Sequence, residues 1–162
     1  MKGNTIFLSA EGQYWLPVEG IIATGETPSP GTILQIDPSV ALQQERHTWK
    51  IYDRGADGDR PAGPHIVLRE DWLQGKDVDD AYVAGARAFG GIPLPGCELN
   101  VLFKNVSGTA DDVALGDLLI VDDTTGKLIV TTGSPESEPF MALEALTDPT
   151  ADTLIWVVAS GY

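Results

Sequence analysis

The side chains best suited to nucleophilic catalysis are few and scattered in this sequence. His47 lies in QERHTW, His65 in GPHIV, Cys97 directly after a Pro-Gly pair, and Ser160 near the end of VVASGY. No serine stands in a G-x-S-x-G nucleophile elbow. A nucleophile needs a base within hydrogen-bond reach and a group that orients the base. We therefore predict structural histidines, a cysteine that packs at a turn, no catalytic residues and no enzyme activity.

The residues that could hold a metal ion are acidic side chains in 53–59, DRGADGD, and in the cluster Asp77, Asp79 and Asp80. Hard cations such as Ca²⁺ bind several carboxylate oxygens on a tight turn. The first stretch lacks the EF-hand spacing and its bidentate Glu, and arginines flank its acids. We predict solvated turns at both places and no metal site. No glycine-rich phosphate loop occurs in the sequence either, so no cofactor is predicted.

The four tryptophans, Trp15, Trp49, Trp72 and Trp156, are spread along the chain. Aromatic rings on one face of a sheet could bind sugars, but scattered tryptophans in a β-protein are more typical of a core or an interface. A carbohydrate-binding surface module, with Trp72 as the residue to test, therefore stays an alternative.

The stretch GKDVDDAYVAG, residues 75–85, resembles the D-x-x-Y segment of trimeric dUTPases. In that family an acid and a tyrosine stack against and orient deoxyuridine, and Asp79 and Tyr82 would match them. The glycine after Tyr82 comes one residue late, and the Gly-rich C-terminal segment of the family has no counterpart here. A dUTPase-like hydrolase is therefore a remote alternative.

Short apolar runs separated by turn residues dominate the sequence, and helical periodicity is scarce. Many short strands at near-regular spacing indicate an all-β barrel or sandwich with long loops and little helix. The runs lie at 6–8, 14–18, 20–24, 32–36, 48–52, 65–69, 99–103, 117–121, 127–131, 140–146 and 153–159.

The predicted organisation is an extended N-terminal arm at 1–19 and a β-domain at 20–162, built as one barrel or as two small lobes. Gly, Pro and Asp are frequent at 74–98, which predicts a long excursion with DVDDAYVAGA as either a single helical turn or an irregular crossing. The hairpin at 115–130 is predicted to be scaffold, with its DDTTGK loop exposed.

One internal similarity joins PGTILQID (30–37) and LGDLLIVD (115–122). Both have a glycine before a buried strand and an aspartate that ends the strand. We interpret this short match as chance similarity between two stretches that both have the usual residues of a turn followed by a strand, with a duplicated β-unit as the alternative.

The charge balance restricts the partners of the chain. The formal net charge is −14, with 24 acidic and 10 basic residues in 162. No basic stripe exists to replace counterions on nucleic acid, and an anionic membrane surface would repel the chain. We expect neither partner. Cys97 is the single cysteine, so no internal disulfide forms. The N-terminus lacks a signal-peptide core, so we expect the protein to be made in the cytoplasm and used without export.

Several stretches, in this order, resemble the head decoration (cement) proteins of tailed bacteriophages over about residues 18–160. They are VEGIIATG with PGTILQI, HIVLREDWLQGKDVDDAYVAGARA, IPLPGCELNVLF, VALGDLLIVDDTTGKLIV, EPFMALEAL and TLIWVVAS. The sequence departs from the family pattern at Ala86-Arg87, where an acidic or polar residue is common, and in a longer DRGADGDRPAG loop.

The resemblance implies a β-tulip-like fold and a non-enzymatic role on the outer surface of the virion. Such proteins form homotrimers that bind the lattice of the major capsid protein and stabilise the mature head. An N-terminal arm could anchor on a neighbour through Phe7, Tyr14 and Trp15, and exposed-aromatic reasoning adds Trp72 and Tyr82 as interface candidates. Another head or tail structural role is a further alternative.

Overall fold

The computed structural model describes residues 5–8, 14–53, 64–71, 77–105, 112–131 and 140–160, and these ranges contain ten β-strands and no helix. The all-β prediction is confirmed. The strands are β1 Trp15–Ile22, β2 Ile33–Ile36, β3 His47–Ile51, β4 Ile66–Leu68, β5 Arg87–Pro93, β6 Glu98–Phe103, β7 Leu118–Val121, β8 Leu128–Val130, β9 Phe140–Ala142 and β10 Thr153–Ala159.

The first five strands close into a barrel in the order β1-β3-β2-β4-β5. Strand β1 runs antiparallel to β5 from Trp15 to Ile21 and parallel to β3, and the remaining pairs are antiparallel. Alternate side chains point into the barrel, because successive residues of a strand face opposite sides. The interior holds Ile22, Leu34, Trp49, Ile66, Leu68, Tyr82 and Ala88.

The last five strands close into a second barrel with the same connections. Its order is β10-β6-β8-β7-β9. Strand β6 runs antiparallel to β10 and parallel to β8, as β1 does with β5 and β3. The pairs β7–β8, β7–β9 and β9–β10 repeat β2–β3, β2–β4 and β4–β5. Each strand of the first barrel therefore has a counterpart five strands later.

The residue register repeats as well. Leu34 pairs with Ile51 and Ile66, and its counterpart Leu119 pairs with Val130 and Phe140. PGTILQID and LGDLLIVD lead into β2 and β7, at equivalent places in the two barrels. Their glycines 31 and 116 have φ of 86° and 90°. Chance similarity of turn and strand residues does not explain why every strand pair has the same register in both barrels. The duplicated β-unit is therefore the better interpretation.

Strand β5 corrects the prediction of a long excursion at 74–98, because Arg87–Pro93 within it form a regular strand. Glycines 90 and 91 gave this segment a low β propensity. Both are needed in the fold, since a Cβ on Gly90 would lie 2.8 Å from Ile66 and 3.3 Å from the Trp49 ring, and one on Gly91 would lie 2.4 Å from the Phe7 ring. The residues that hid the strand from sequence reasoning are the ones that let bulky aromatic rings pack against it.

The two barrels share one hydrophobic cluster at their joint. Ile33 and Val67, on the outside of the first barrel, belong to the cluster that forms the core of the second barrel. The Ile33 N–H donates to the Gly126 carbonyl (2.7 Å), and the Leu102 N–H donates to the Gly31 carbonyl (3.0 Å). The two barrels are therefore joined by backbone hydrogen bonds as well as by apolar packing.

The loop between β7 and β8 is part of this joint, so the prediction of an exposed DDTTGK loop is wrong for Gly126. Asp123 and Thr124 at the tip are exposed, but Gly126 is buried. A Cβ on Gly126 would lie 2.3 Å from the Ile33 carbonyl oxygen, so only glycine fits there. One side of the loop faces solvent, and the other side packs against the first barrel.

Candidate interaction surface

The N-terminal segment 5–8 lies between the two barrels of its own chain. On the first barrel, the Thr5 hydroxyl (2.5 Å) and the Ile6 N–H (3.1 Å) both donate to the buried Glu70 carboxylate. On the second, the Asn100 side-chain amide donates to the Thr5 carbonyl, and Phe7 forms a β-bridge with Leu99. The segment therefore has partners within the chain on both sides.

Phe7 and Trp15 stack on each other within the chain. Their ring centroids lie 4.2 Å apart at an interplanar angle of 20°, and the Arg69 guanidinium lies 5.3 Å from the Trp15 ring centroid. Both rings fill the space that glycine leaves at position 91. In this chain the two aromatic residues hold the N-terminal segment in place, and their use at an interface stays a prediction.

Tyr14 is the sequence-predicted aromatic residue that the structure exposes. Tyr14 is 42% and Leu16 47% exposed, and Leu8, earlier in the chain, is exposed as well. The Tyr14 carbonyl accepts a hydrogen bond from the Leu94 N–H, and the Leu8 N–H donates one to the Glu98 carbonyl. Tyr14 and Leu8 therefore flank the β5–β6 connection at 94–97. We call Leu8, Tyr14 and Leu16 the N-terminal patch. Leu16 was missed because exposed-aromatic reasoning passes over aliphatic side chains.

Tyr82 is buried in the first barrel, with 1% of its surface exposed. Its hydroxyl donates to the Arg69 carbonyl at 2.9 Å, and burial raises the pKa of its phenol, with the nearby Asp71 charge adding to the effect. Asp79 sits on the exposed turn that precedes it. The ring is enclosed by its own barrel, so it is not placed to stack on a nucleobase as the D-x-x-Y comparison requires.

The other candidate chemistry does not assemble into a site in the described ranges. Trp72 and most of the acidic loop at 53–59 lie outside the described residues. His65 contacts the Tyr52 ring at 5.0 Å, His47 begins β3, and Cys97 is buried. Among the described residues no group of three His, Cys, Asp or Glu side chains is arranged to hold a metal ion. Those residues also include no helix able to cross a membrane.

Ion pairs crosslink the outer face of the first barrel. Glu19 on β1 contacts Arg87 on β5 at 2.7 Å and Arg46 beside β3 at 2.8 Å. The hydrogen bond from Arg87, followed by that from Arg46, lowers the pKa of the Glu19 carboxyl. These charges join three neighbouring strands at the surface.

A second polar cluster surrounds Asp122 at the joint end of the second barrel. Burial alone would raise the pKa of Asp122, but hydrogen bonds from Lys104, Thr125 and Thr124 outweigh it and lower the pKa to about 2. The Lys104 ammonium lies 2.8 Å from the carboxylate. The cluster fixes the loop that carries Gly126.

Comparison with known proteins identifies a solved structure with a similar architecture. No protein-family model matches the chain, and no curated protein sequence is similar to it. Among solved structures, the chain is similar to the crystal structure of the head fiber gp8.5 N base of bacteriophage phi29, with a TM-score of 0.53 and 11% sequence identity. The similarity covers 90% of this chain and 94% of that one.

The chain shares the fold of a phage head-fiber base. At this identity the similarity concerns the fold, and it extends over both barrels because nearly the whole of each chain is covered. The resemblance to phage head proteins noted in the sequence and the head-fiber fold thus point to the same class of structure.

Proposed function

We propose that this protein is a non-enzymatic structural protein of a phage head, which binds the outer surface of the major capsid lattice as a homotrimer and stabilises the mature head. The observation that carries the proposal is the head-fiber fold, shared across 90% of the chain. The ordered sequence resemblance to head decoration proteins supports it independently of that comparison.

The construction of the chain supports a binding role under mechanical load. Both sheets close into barrels, so the described strands leave no long free edge to pair with other chains. Two joined cores and a buried joint give a rigid body. The net charge of −14 favours solubility and disfavours nucleic acid and anionic lipid as partners.

In this proposal the N-terminal patch contacts the major capsid protein. Tyr14 and Leu16 are exposed and project from a strand that the Phe7–Trp15 stack holds in place. Aromatic and apolar side chains on a rigid support lose little conformational entropy on binding, which is the usual character of an interface hot spot.

The test is co-sedimentation of the purified protein with expanded and unexpanded capsids of its source phage, with the copies bound per shell counted. We expect saturable binding at a multiple of three per lattice unit, with preference for the expanded shell. The double variant Tyr14→Ala, Leu16→Ser should weaken binding at least about tenfold, because removing hot-spot residues costs about 1–2 kcal/mol or more.

The matched control is Val83→Ser, which changes an exposed apolar residue in the β4–β5 connection, away from the N-terminal patch. It should bind as the unchanged protein does. No binding of the unchanged protein to either shell would refute the proposed function. Equal weakening by the control would refute the assignment of the patch.

A further inference from the structure

The joint between the barrels covers a row of outward-facing residues on the first barrel. Ile33 pairs with Val67, and Val67 with Gly91, so the three lie side by side across β2, β4 and β5. Ile33 and Val67 are 0% exposed and Gly91 is buried. The second barrel and the N-terminal segment supply the atoms that cover this row.

The second barrel carries the equivalent row, and the residues that the structure describes supply no equivalent cover for it. Leu118 pairs with Met141, and Met141 with Val158, in the same register across β7, β9 and β10. All three side chains are large and apolar, and all three are only half-buried. In the described part of the chain, no third barrel packs on them as the second barrel packs on the first. We call Leu118, Met141 and Val158 the open row.

The surroundings of the open row are more apolar than the surroundings of its counterpart. Following the repeated register, Ile129 stands where the first barrel has Lys50. Trp156 is exposed on the same outward side of β10, two residues from Val158. A surface of this kind is typical of an interaction site.

We propose that the open row is covered by the first barrel of a second copy of this chain, in a head-to-tail contact that repeats the joint between the barrels. Inside the chain, the β7–β8 loop reaches the covered row through Gly126. Its counterpart in the first barrel is the β2–β3 connection, residues 37–46. That connection presents Leu42, 59% exposed, and Val40 to the outside.

A second copy is the occupant because the contact continues an interface that the chain already uses. Each chain presents an open row and, in its β2–β3 connection, the exposed side chains of Val40 and Leu42, so each copy can both give and receive the contact. Such a heterologous contact closes into a ring when its rotation allows. The inference deepens the homotrimer of the proposed function and rests on that proposal for the number of copies.

Sedimentation velocity of the full chain without capsids tests the inference. The unchanged protein should sediment as an oligomer of its 17.3 kDa chain. Met141→Glu on the open row and Leu42→Glu in the β2–β3 connection should each yield monomers, because each buries a carboxylate in an apolar contact. Val83→Glu, an equally exposed position elsewhere, should remain oligomeric.

Mixing the two monomeric variants tests the head-to-tail geometry. Met141→Glu keeps an intact connection and Leu42→Glu keeps an intact row, so a mixture should form a one-to-one dimer with one good contact. Leu118→Glu replaces Met141→Glu if circular dichroism shows that the latter is unfolded. A monomeric unchanged protein, an oligomer that survives either variant, or a mixture that stays monomeric would each overturn the inference.

These outcomes are separable from failure of the proposed function. Oligomers that dissociate as expected but do not bind capsids would refute the capsid role and leave the open-row contact standing. If the unchanged protein binds capsids and both variants remain oligomeric, the open-row contact is refuted and the capsid role stands.

Discussion

The two barrels have the same strand connections and register but fill their interiors differently. Trp49 pairs with Ile22 in the first barrel, and its counterpart Leu128 pairs with Phe103 in the second. A Cβ on Gly20 would lie 2.2 Å from the Trp49 ring, whereas the counterpart of Gly20 in the second barrel is a valine. Where one barrel has a large ring and a glycine, the other has two side chains of intermediate size, a leucine and a valine.

The same exchange recurs at the neighbouring strand. Gly90, beside the Trp49 ring, has Val157 as its counterpart. Interiors are close-packed, so a ring that takes more volume requires neighbours that take less. The two barrels thus share their turn residues and their alternation of inward and outward side chains. The residues that fill each core differ, but within each core their sizes are matched to one another.

The largest expected effect comes from breaking this exchange in the first barrel. Gly20→Val places a branched side chain inside the Trp49 ring volume and should lower the free energy of unfolding by about 3 kcal/mol or more. Trp49→Leu alone should lower it by about 2–3 kcal/mol through the cavity it leaves. Urea unfolding measures both.

The double variant Gly20→Val, Trp49→Leu sharpens the comparison, because it gives the first barrel the residues of the second. It should be less destabilised than the sum of the single changes, by about 1–3 kcal/mol. Additive losses would show that the ring and the glycine are not coupled.

An intermediate effect separates the two equivalent glycines. Gly31 and Gly116 have φ of 86° and 90°, so alanine is strained by about 1–2 kcal/mol at both. A Cβ on Gly31 also meets Leu154 at 2.8 Å and the Leu102 nitrogen at 3.1 Å, whereas one on Gly116 meets nothing within 4 Å. Gly31→Ala should therefore cost about 1–2 kcal/mol more than Gly116→Ala in thermal or urea unfolding. Equal losses would contradict the close approach of the barrels at Gly31.

The smallest expected effect concerns the aspartates that end β2 and β7. Because the folded pKa of Asp122 is about 2 against a usual 3.8, and solvent screens this half-buried carboxylate in part, its charge stabilises the fold by about 1 kcal/mol above pH 4. That contribution is lost as the pH falls from about 4 through 2.

Asp122→Asn should therefore destabilise the protein at pH 7, and the difference from the unchanged protein should shrink as the pH falls towards 2. Asp37→Asn, at the equivalent position, is the control. Hydrogen bonds from Ser39 lower the Asp37 pKa, but these bonds are exposed to solvent, which makes the expected loss smaller. If the loss of unfolding free energy depends on pH in the same way for both variants, the stabilising role of the Lys104–Asp122 ion pair is contradicted.

Sequence reasoning predicted the all-β class because alternation and turn residues are local signals. It located the apolar runs that became nine strands but missed β5, whose two glycines are explained only by close contacts with distant parts of the chain. Without β5 the first barrel could not be seen to close, so the choice between one barrel and two lobes stayed open.

The exposure of the candidate aromatic residues was predicted less well, for a related reason. Aromatic type alone does not tell whether a ring faces solvent. Tyr14 is exposed, Trp15 and Tyr82 are buried, and Phe7 stacks inside the chain. The open row was missed because its residues look like ordinary core residues in sequence. The signal that could have found it is the similarity of PGTILQID and LGDLLIVD. Taken as a true repeat, it makes Leu118 equivalent to Ile33, and a cover for one then suggests a cover for the other.

The path of the backbone across the joint has a mechanical consequence. The chain passes from the first barrel to the second through 94–97, and hydrogen bonds to Glu70 and from Asn100 hold segment 5–8 on both barrels. A body tethered by one linker can swivel about that linker, but a second attachment resists rotation. Torque applied to one barrel therefore reaches the other through segment 5–8 as well as through the linker.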